Sequence, residues 1–292
     1  MHWWWPFVFV GMGGPRAAGT THAPSRASLT IETYVADSVG WNVASTIIAG
    51  STEAILVDVQ GLKSDATRVA DRIASRGLKL KAVFITHPHD DHFIGIDEIR
   101  KKFPDVPVYM TETGLREFNR VAPRVFRSMR QYNAAQAPDT LETPTVLPST
   151  RLTVDGQEVE IVSDEQGDAL IRSNSYLWIP SLRTVVAGDI VFAGVHPWLA
   201  NSHARSRAAW VASLDKMAAL RPQIVVAGHK AGASTPNDPA DISATRAYIT
   251  SFGALIDSCA TSEELATRMR QKFPSYRLAN ILVRSAHGAI PD

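Results

Sequence analysis

Cysteine is nearly absent. Cys259 stands alone among 292 residues, so no internal disulfide can staple the chain and an apolar core must hold it. Its setting, Ala254 to Ala260, reads as a helix-core position. A dominant charge is absent too: 30 basic against 29 acidic residues leave a formal net charge of +1. That supplies no long-range field for a polyanion, so no nucleic-acid partner is expected. No run reaches the roughly 20 apolar residues of a membrane span. The stretch Trp3-Trp4-Trp5-Pro6-Phe7-Val8-Phe9-Val10 is too short, and only His2 precedes it where a secretory signal wants Lys or Arg. No membrane partner is expected, and the compartment leans to the cytoplasm with export left open by that apolar amino terminus. Residues 1 to 28 read as a flexible leader or the remnant of a targeting segment.

What is present, 45% hydrophobic and 20% charged residues, is the balance of one large globular α/β domain, residues 29 to 292. Thr30 to Ala36, Trp41 to Ala49 and Glu53 to Asp58 read as strands, punctuated by Gly40 and Gly50. A helix from Asp65 to Arg76, with Ala66, Val69 and Ile73 on one face and Gly77 as its stop, leads to a strand from Ala82 to Ile85. Phe93, Ile96, Ile99 and Phe103 then recur at helical spacing before a strand from Val106 to Met110. Around 112 to 137, five arginines from Arg116 to Arg130 interleave with apolar residues, and Pro123 breaks or kinks the pattern. That segment reads as a solvated amphipathic pair of helices or as a helical insertion capping a site. Pro138 to Pro148 is a Pro/Thr linker.

The second half repeats the style of the first. Strands are expected at Arg151 to Val154, Glu158 to Val162, Ser175 to Ile179, Thr184 to Ala187 and Gln223 to Ala227. A helix from Arg205 to Leu220 turns Trp210, Leu214 and Met217 inward, and a helical tail occupies residues 239 to 273. Two similar halves suit a sandwich of two mixed sheets with helices outside.

The chemistry is concentrated in Thr86-His87-Pro88-His89-Asp90-Asp91-His92, directly after an apolar strand. Three imidazoles and their carboxylate at this density make a metal site. Alternation along the extended turn lets His87 and His89 share one ion while Asp91 and His92 turn toward a second. Two later strands end in comparable fashion: Val185-Val186-Ala187-Gly188-Asp189 and Ile224-Val225-Val226-Ala227-Gly228-His229.

The H-x-H-x-D-H arrangement resembles the metal motif of the metallo-beta-lactamase-fold hydrolases. Further matches run from about residue 30 to a last expected strand near residue 285. The resemblance implies a four-layer αβ/βα sandwich, with Asp58 orienting the metal loop, Asp189 bridging two metals and His229 completing the second. The third ligand of the first metal is ordinarily a His after a Gly. Here Gly167-Asp168 stands in that place, with Asp164 and Glu165 as nearby alternatives. Two Zn2+ ions are the implied cofactor, and a carboxylate at Asp168 opens the site to Mn2+ or Fe2+.

Hydrolysis of a carbonyl-centred bond in a small molecule by a metal-bound hydroxide follows, with Asp91 and Asp189 as catalytic residues. True metallo-beta-lactamases typically lack a bridging carboxylate at the Gly-Asp position, so Asp189 favours lactones, esters or thioesters, as in lactonases and glyoxalase-II-type enzymes. Some acyl-homoserine-lactone lactonases carry a Tyr where Phe192 stands. His196 and Trp198 fall at the mouth of the site, and His196 either hydrogen-bonds the substrate or is a surface histidine before Pro197. Two competing functions stay open: a mononuclear iron oxygenase like the family's persulfide dioxygenases, and a binding protein with a decayed site. Oligomeric state is not legible.

Overall fold

The computed structural model describes residues 1–4 and 28–291, so most of the expected leader lies outside the described residues. The first sheet collects β1 (Thr30–Val35), β2 (Ala44–Ala49), β3 (Glu53–Val57), β4 (Lys79–Phe84), β5 (Val108–Met110) and β6 (Thr145–Val146), in that spatial order. β1, β2 and β3 pair antiparallel, and β3 through β6 pair parallel. The parallel steps cross over through helices: α1 (Lys63–Ser75), the single turn α2 (Asp90–Phe93), α3 (Ile96–Lys102) and α4 (Glu112–Tyr132). The second sheet orders β12 (Ile224–Val226), β10 (Thr184–Val186), β9 (Asn174–Ile179), β8 (Gln157–Glu165) and β7 (Arg151–Val154). A two-stranded parallel ribbon, β11 (Phe192–Ala193) with β13 (His229–Lys230), was not anticipated. Helices α5 (Ala204–Ala219), α6 (Ala240–Ile256), α7 (Ser262–Lys272) and α8 (Ala279–Ala289) cover the second sheet.

The period of two along each strand sorts side chains into three cores. From β3, Ile55 and Val57 meet Leu177, Ile179, Val186 and Val226 between the sheets. Their neighbours Ala54 and Leu56 face α1, α3 and α4. The mirror-image layer packs Val185, Val225 and Ala187 against Trp210, Phe252 and Leu282. Each fully buried large aliphatic or aromatic side chain contributes on the order of 1.5–3 kcal/mol. The result is the expected four-layer sandwich.

Several elements depart from the sequence reading. α4 is one helix of 21 residues that runs through Pro123. Its apolar stripe of Gly114, Phe118 and Ala122 packs on the sheet, and the burial of that face offsets the backbone hydrogen bond that Pro removes. The run from Phe93 to Phe103 splits into α2 and α3 at Gly95, where a Cβ would meet the carbonyl oxygen of Val59. Near residue 285 there is helix α8 instead of a strand. Cys259 lies beyond the end of α6 and is only half-buried, because the helix stops at Ile256 and the chain turns toward α7.

Candidate metal centre

Parallel pairing of β3 with β4, in which Val57 is opposite Phe84, brings Asp58 beside Thr86. The Thr86 amide donates to Asp58 Oδ1 at 2.8 Å and its hydroxyl to Oδ2 at 2.9 Å. His92 Nδ1 lies 2.9 Å from the same Oδ2. Asp58 therefore ties the two ends of the His-rich loop together, and holds His92 with Nε2 aimed inward. The chain bends through Thr86 to Pro88, His89 is extended, and α2 then turns Asp91 and His92 to the other side.

Three further segments converge on this loop. Two residues past the end of β10 stands Gly188, whose φ of +51° and closeness to Thr86 both disfavour a Cβ, and the next residue presents the Asp189 carboxylate. After β12, Gly228 lets the chain pass so close that a side chain there would collide with that carboxylate. Beyond β8, Asp168 is held by its amide, which donates to the Asp189 carbonyl at 3.3 Å, and by Asn174 Nδ2 at 3.3 Å.

The donor atoms fall into two groups. His87, His89, Asp168 and Asp189 form one, and Asp91, His92 and His229 form the other. His89 Nδ1 is 3.1 Å from Asp168 Oδ2, and His87 Nε2 is 3.7 Å from Asp168 Oδ1. His229 Nε2 lies 3.2 Å from Asp91 Oδ2. Asp189 stands between the groups: 3.2 Å from His92 Nε2, 3.1 Å from His229 Nε2 and 3.8 Å from His87 Nε2. Asp164 and Glu165 are not in this constellation. They close β8 instead of forming a loop; Asp164 is exposed, while Glu165 pairs with Lys216 at 2.6 Å and accepts from Ser213 at 2.8 Å.

The donor set fits divalent cations. His87 Nε2 and Asp189 Oδ1 are buried without a hydrogen-bond partner among the described residues, and a cation would satisfy both. Three imidazoles have their other ring nitrogen engaged, His87 by Thr86 at 3.0 Å, His92 by Asp58, and His229 by the Trp41 carbonyl at 2.7 Å. That leaves Nε2 of each facing the centre. Electrostatics agree. Burial works against a charged imidazole, yet Asp189 and Asp91 raise His229 to about 10, and Asp168 raises His89 to about 9. Burial and Asp189 push the Asp168 carboxyl up to about 6 against the pull of His89. The carboxylates thus hold protons on His89, His92 and His229, whereas burial and the neighbouring His92 keep His87 well below the usual imidazole range; a bound dication would replace those protons. A third acidic group, Asp97, Glu98 and Asp139, is occupied by Lys63 and Lys101 and is an ion-pair network.

The centre opens into a cavity of about 300 Å³ whose walls include Trp41, Phe192, His196, Trp198 and Arg284. Phe192 stacks on the His229 ring at 5.4 Å, a consequence of the β11–β13 register. His196 is buried rather than a surface residue, and Leu278, Ile281 and Arg284 reach the cavity from the unanticipated end of the chain. A second groove, beside Asp90 and Asp91, is lined by Arg124, Val125, Met129 and Tyr132 of α4. The residues missed by the sequence reading, Trp41, Tyr248 and Arg284, carry no local motif.

Residues 39–229 match the model of the metallo-beta-lactamase superfamily. The chain belongs to that superfamily. Among solved structures, a metallo-beta-lactamase family protein from Thermus thermophilus superposes with a TM-score of 0.62 at 18% identity, covering 89% of this chain and 91% of that one. A metallo-beta-lactamase from Pontibacter korlensis gives 0.55 at 17% identity, covering 79% and 97%. A curated hydroxyacylglutathione hydrolase of Tolumonas auensis is 31% identical over 100 residues, 34% of this chain and 36% of that protein. The match thus spans about a third of the relative's length.

Asp58→Asn is expected to leave the fold intact but weaken metal binding by roughly 10–100-fold, because the amide cannot hold His92 Nδ1–H and the Thr86 donors together. Competition against a calibrated chelator measures it, and an unchanged affinity would show that His92 needs no such support.

Proposed function

We propose that the protein is a metal-dependent hydrolase cleaving a lactone, ester or thioester, with a β-lactam amide less favoured, at a site for two zinc ions. The observation that carries this reading is the position of Asp189, within 3.8 Å of imidazoles from both donor groups. Residues 29 to 292 would act as one unit. His87, His89 and Asp168 would hold one ion, Asp91, His92 and His229 the other, with Asp189 shared. Bound zinc ions supply a Lewis acid for the carbonyl and bring the pKa of a water toward about 7.

The chain's own residues do the rest. Asp189 accepts a proton or hydrogen bond from the attacking water and sets its direction. Asp58, Thr86 and the Trp41 carbonyl keep the imidazoles from rotating. Phe192 and Trp41 exclude bulk water from the reacting carbonyl. An acyl conjugate of glutathione belongs among the test substrates, given the curated relative's name.

A second reading has specific support. His87, His89 and Asp168 are two imidazoles and a carboxylate in one cluster, the set that a mononuclear iron oxygenase uses. It would leave the oriented His92 and His229 without work. Metal quantitation after native purification, followed by a screen of lactones, thioesters, aryl esters and β-lactams, separates the readings. About two zinc per chain with ester-type turnover supports the hydrolase; one iron without hydrolysis supports the oxygenase.

His89→Ala and His92→Ala should each abolish turnover while the far-UV circular dichroism stays that of the parent, since neither side chain belongs to the apolar cores. Activity within about tenfold of the parent would remove the two-metal mechanism.

A further inference from the structure

His196 lines the cavity from the segment that follows β11, outside the metal loop in sequence, and is 2% exposed. Its Nδ1 lies 2.8 Å from the Tyr248 hydroxyl, contributed by α6. Tyr248 is fully buried, packed edge-on to His196 at 5.6 Å and stacked on Tyr276 at 5.7 Å. The hydroxyl has no other hydrogen-bond partner among the described residues. If Nδ1 carried the proton, the hydroxyl would accept it and its own hydrogen would be buried with nowhere to go. The satisfied arrangement has Tyr248 donating to Nδ1, which puts the imidazole proton on Nε2. No described residue accepts from Nε2, and the ring faces the cavity.

We propose that His196 is a substrate-binding donor, held by Tyr248 in its Nε2–H form, that receives an oxygen acceptor of the substrate such as a carbonyl or carboxylate. This deepens the hydrolase reading and rests on it for the identity of the reaction, while the Tyr248–His196 pair stands on geometry alone. The surroundings agree with a neutral donor. Burial, aided by Arg270, lowers the His196 imidazole to about 4, so it is uncharged at neutral pH. The same cavity is also lined by the Trp198 indole, the Asn201 amide and the Arg284 guanidinium, the last lying 5.6 Å over the Trp41 ring. These donors suit an acceptor.

The test is nitrogen-15 NMR of the imidazoles in the zinc-loaded protein, combined with kinetics. The parent should show His196 as the Nε2–H tautomer. Adding the carbonyl probe 2-pyrrolidinone should move that Nε2–H signal. Tyr248→Phe, which keeps the stacked ring, should give a tautomer mixture and weaken the probe's effect. On the best substrate of the hydrolysis screen, KM should rise about three- to tenfold in Tyr248→Phe, and further in His196→Asn, with metal content unchanged. His196→Gln should recover most of the loss, because its amide nitrogen falls near the position of Nε2, whereas that of Asn falls near Nδ1. An Nδ1–H tautomer in the parent, a His196 signal insensitive to the probe, or equal behaviour of the Gln and Asn variants would each overturn the proposal. Failure of the hydrolase reading alone would appear differently, as absent turnover with the tautomer and the probe response intact.

Discussion

Asp189→Asn lowers turnover by about two orders of magnitude or more and drops the metal content below two per chain. The side chain keeps its shape and loses only its charge, so the effect isolates what the carboxylate does. In the folded protein its two oxygens lie 3.2 Å from His92 Nε2 and 3.1 Å from His229 Nε2, with His87 Nε2 at 3.8 Å. Burial disfavours an ionised carboxyl, but the surrounding imidazoles outweigh it and hold Asp189 well below the usual carboxylate range. An amide in this place offers one neutral oxygen to two cations and turns its NH2 toward the other. Losing the shared anion therefore weakens both half-sites and leaves the attacking water without an acceptor to direct it. Mass spectrometry for metals together with steady-state kinetics reads both consequences. Unchanged rate and unchanged stoichiometry would take Asp189 out of the site.

Most of the candidate ligands stood out in the sequence because they follow strands, His87 and His89 after β4, Asp189 after β10 and His229 after β12, where residue type is constrained by chemistry. Apolar β-branched runs mark the strands, a Gly marks the close passage, and His or Asp follows. Gly188 and Gly228 show why this worked: both positions lack room for a Cβ because they pass against Thr86 and Asp189. What was not legible is contact between distant segments. The Trp41 carbonyl that orients His229 is 188 residues away in sequence, and Tyr248 is 52 residues from His196. Glu165 looked like a candidate ligand until Lys216, 51 residues on, claimed its carboxylate. α4 misled for a different reason. Pro123 is a local breaker, and the burial of Phe118 and Ala122 that overrides it is a tertiary effect invisible to local pattern.

Asp168 is the place where this chain leaves the pattern of the proteins it resembles, and its variants carry the second large effect. Asp168→Ala removes the carboxylate that the His87–His89 group holds besides the shared Asp189, and should cost one metal and nearly all turnover. Asp168→His should keep or tighten zinc at that position. An imidazole needs more room than a carboxyl, but Asp168 borders the 300 Å³ cavity and can extend toward it. Replacing a carboxylate with a neutral ligand also removes the buried charge and the repulsion from Asp189 that, with burial the larger cause, push Asp168 up to about 6. The preference among metals should move with it, away from manganese and iron and toward zinc. Asp164→Ala and Glu165→Ala are the controls. Asp164 is exposed, and Glu165 is committed to Lys216 and Ser213, so both variants should retain two metals even where Glu165→Ala lowers stability. Metal-to-protein ratios across the four variants decide the matter. Two metals in Asp168→Ala, with one lost from Asp164→Ala or Glu165→Ala, would transfer the ligand role to that residue and require β8 to rearrange when metal binds.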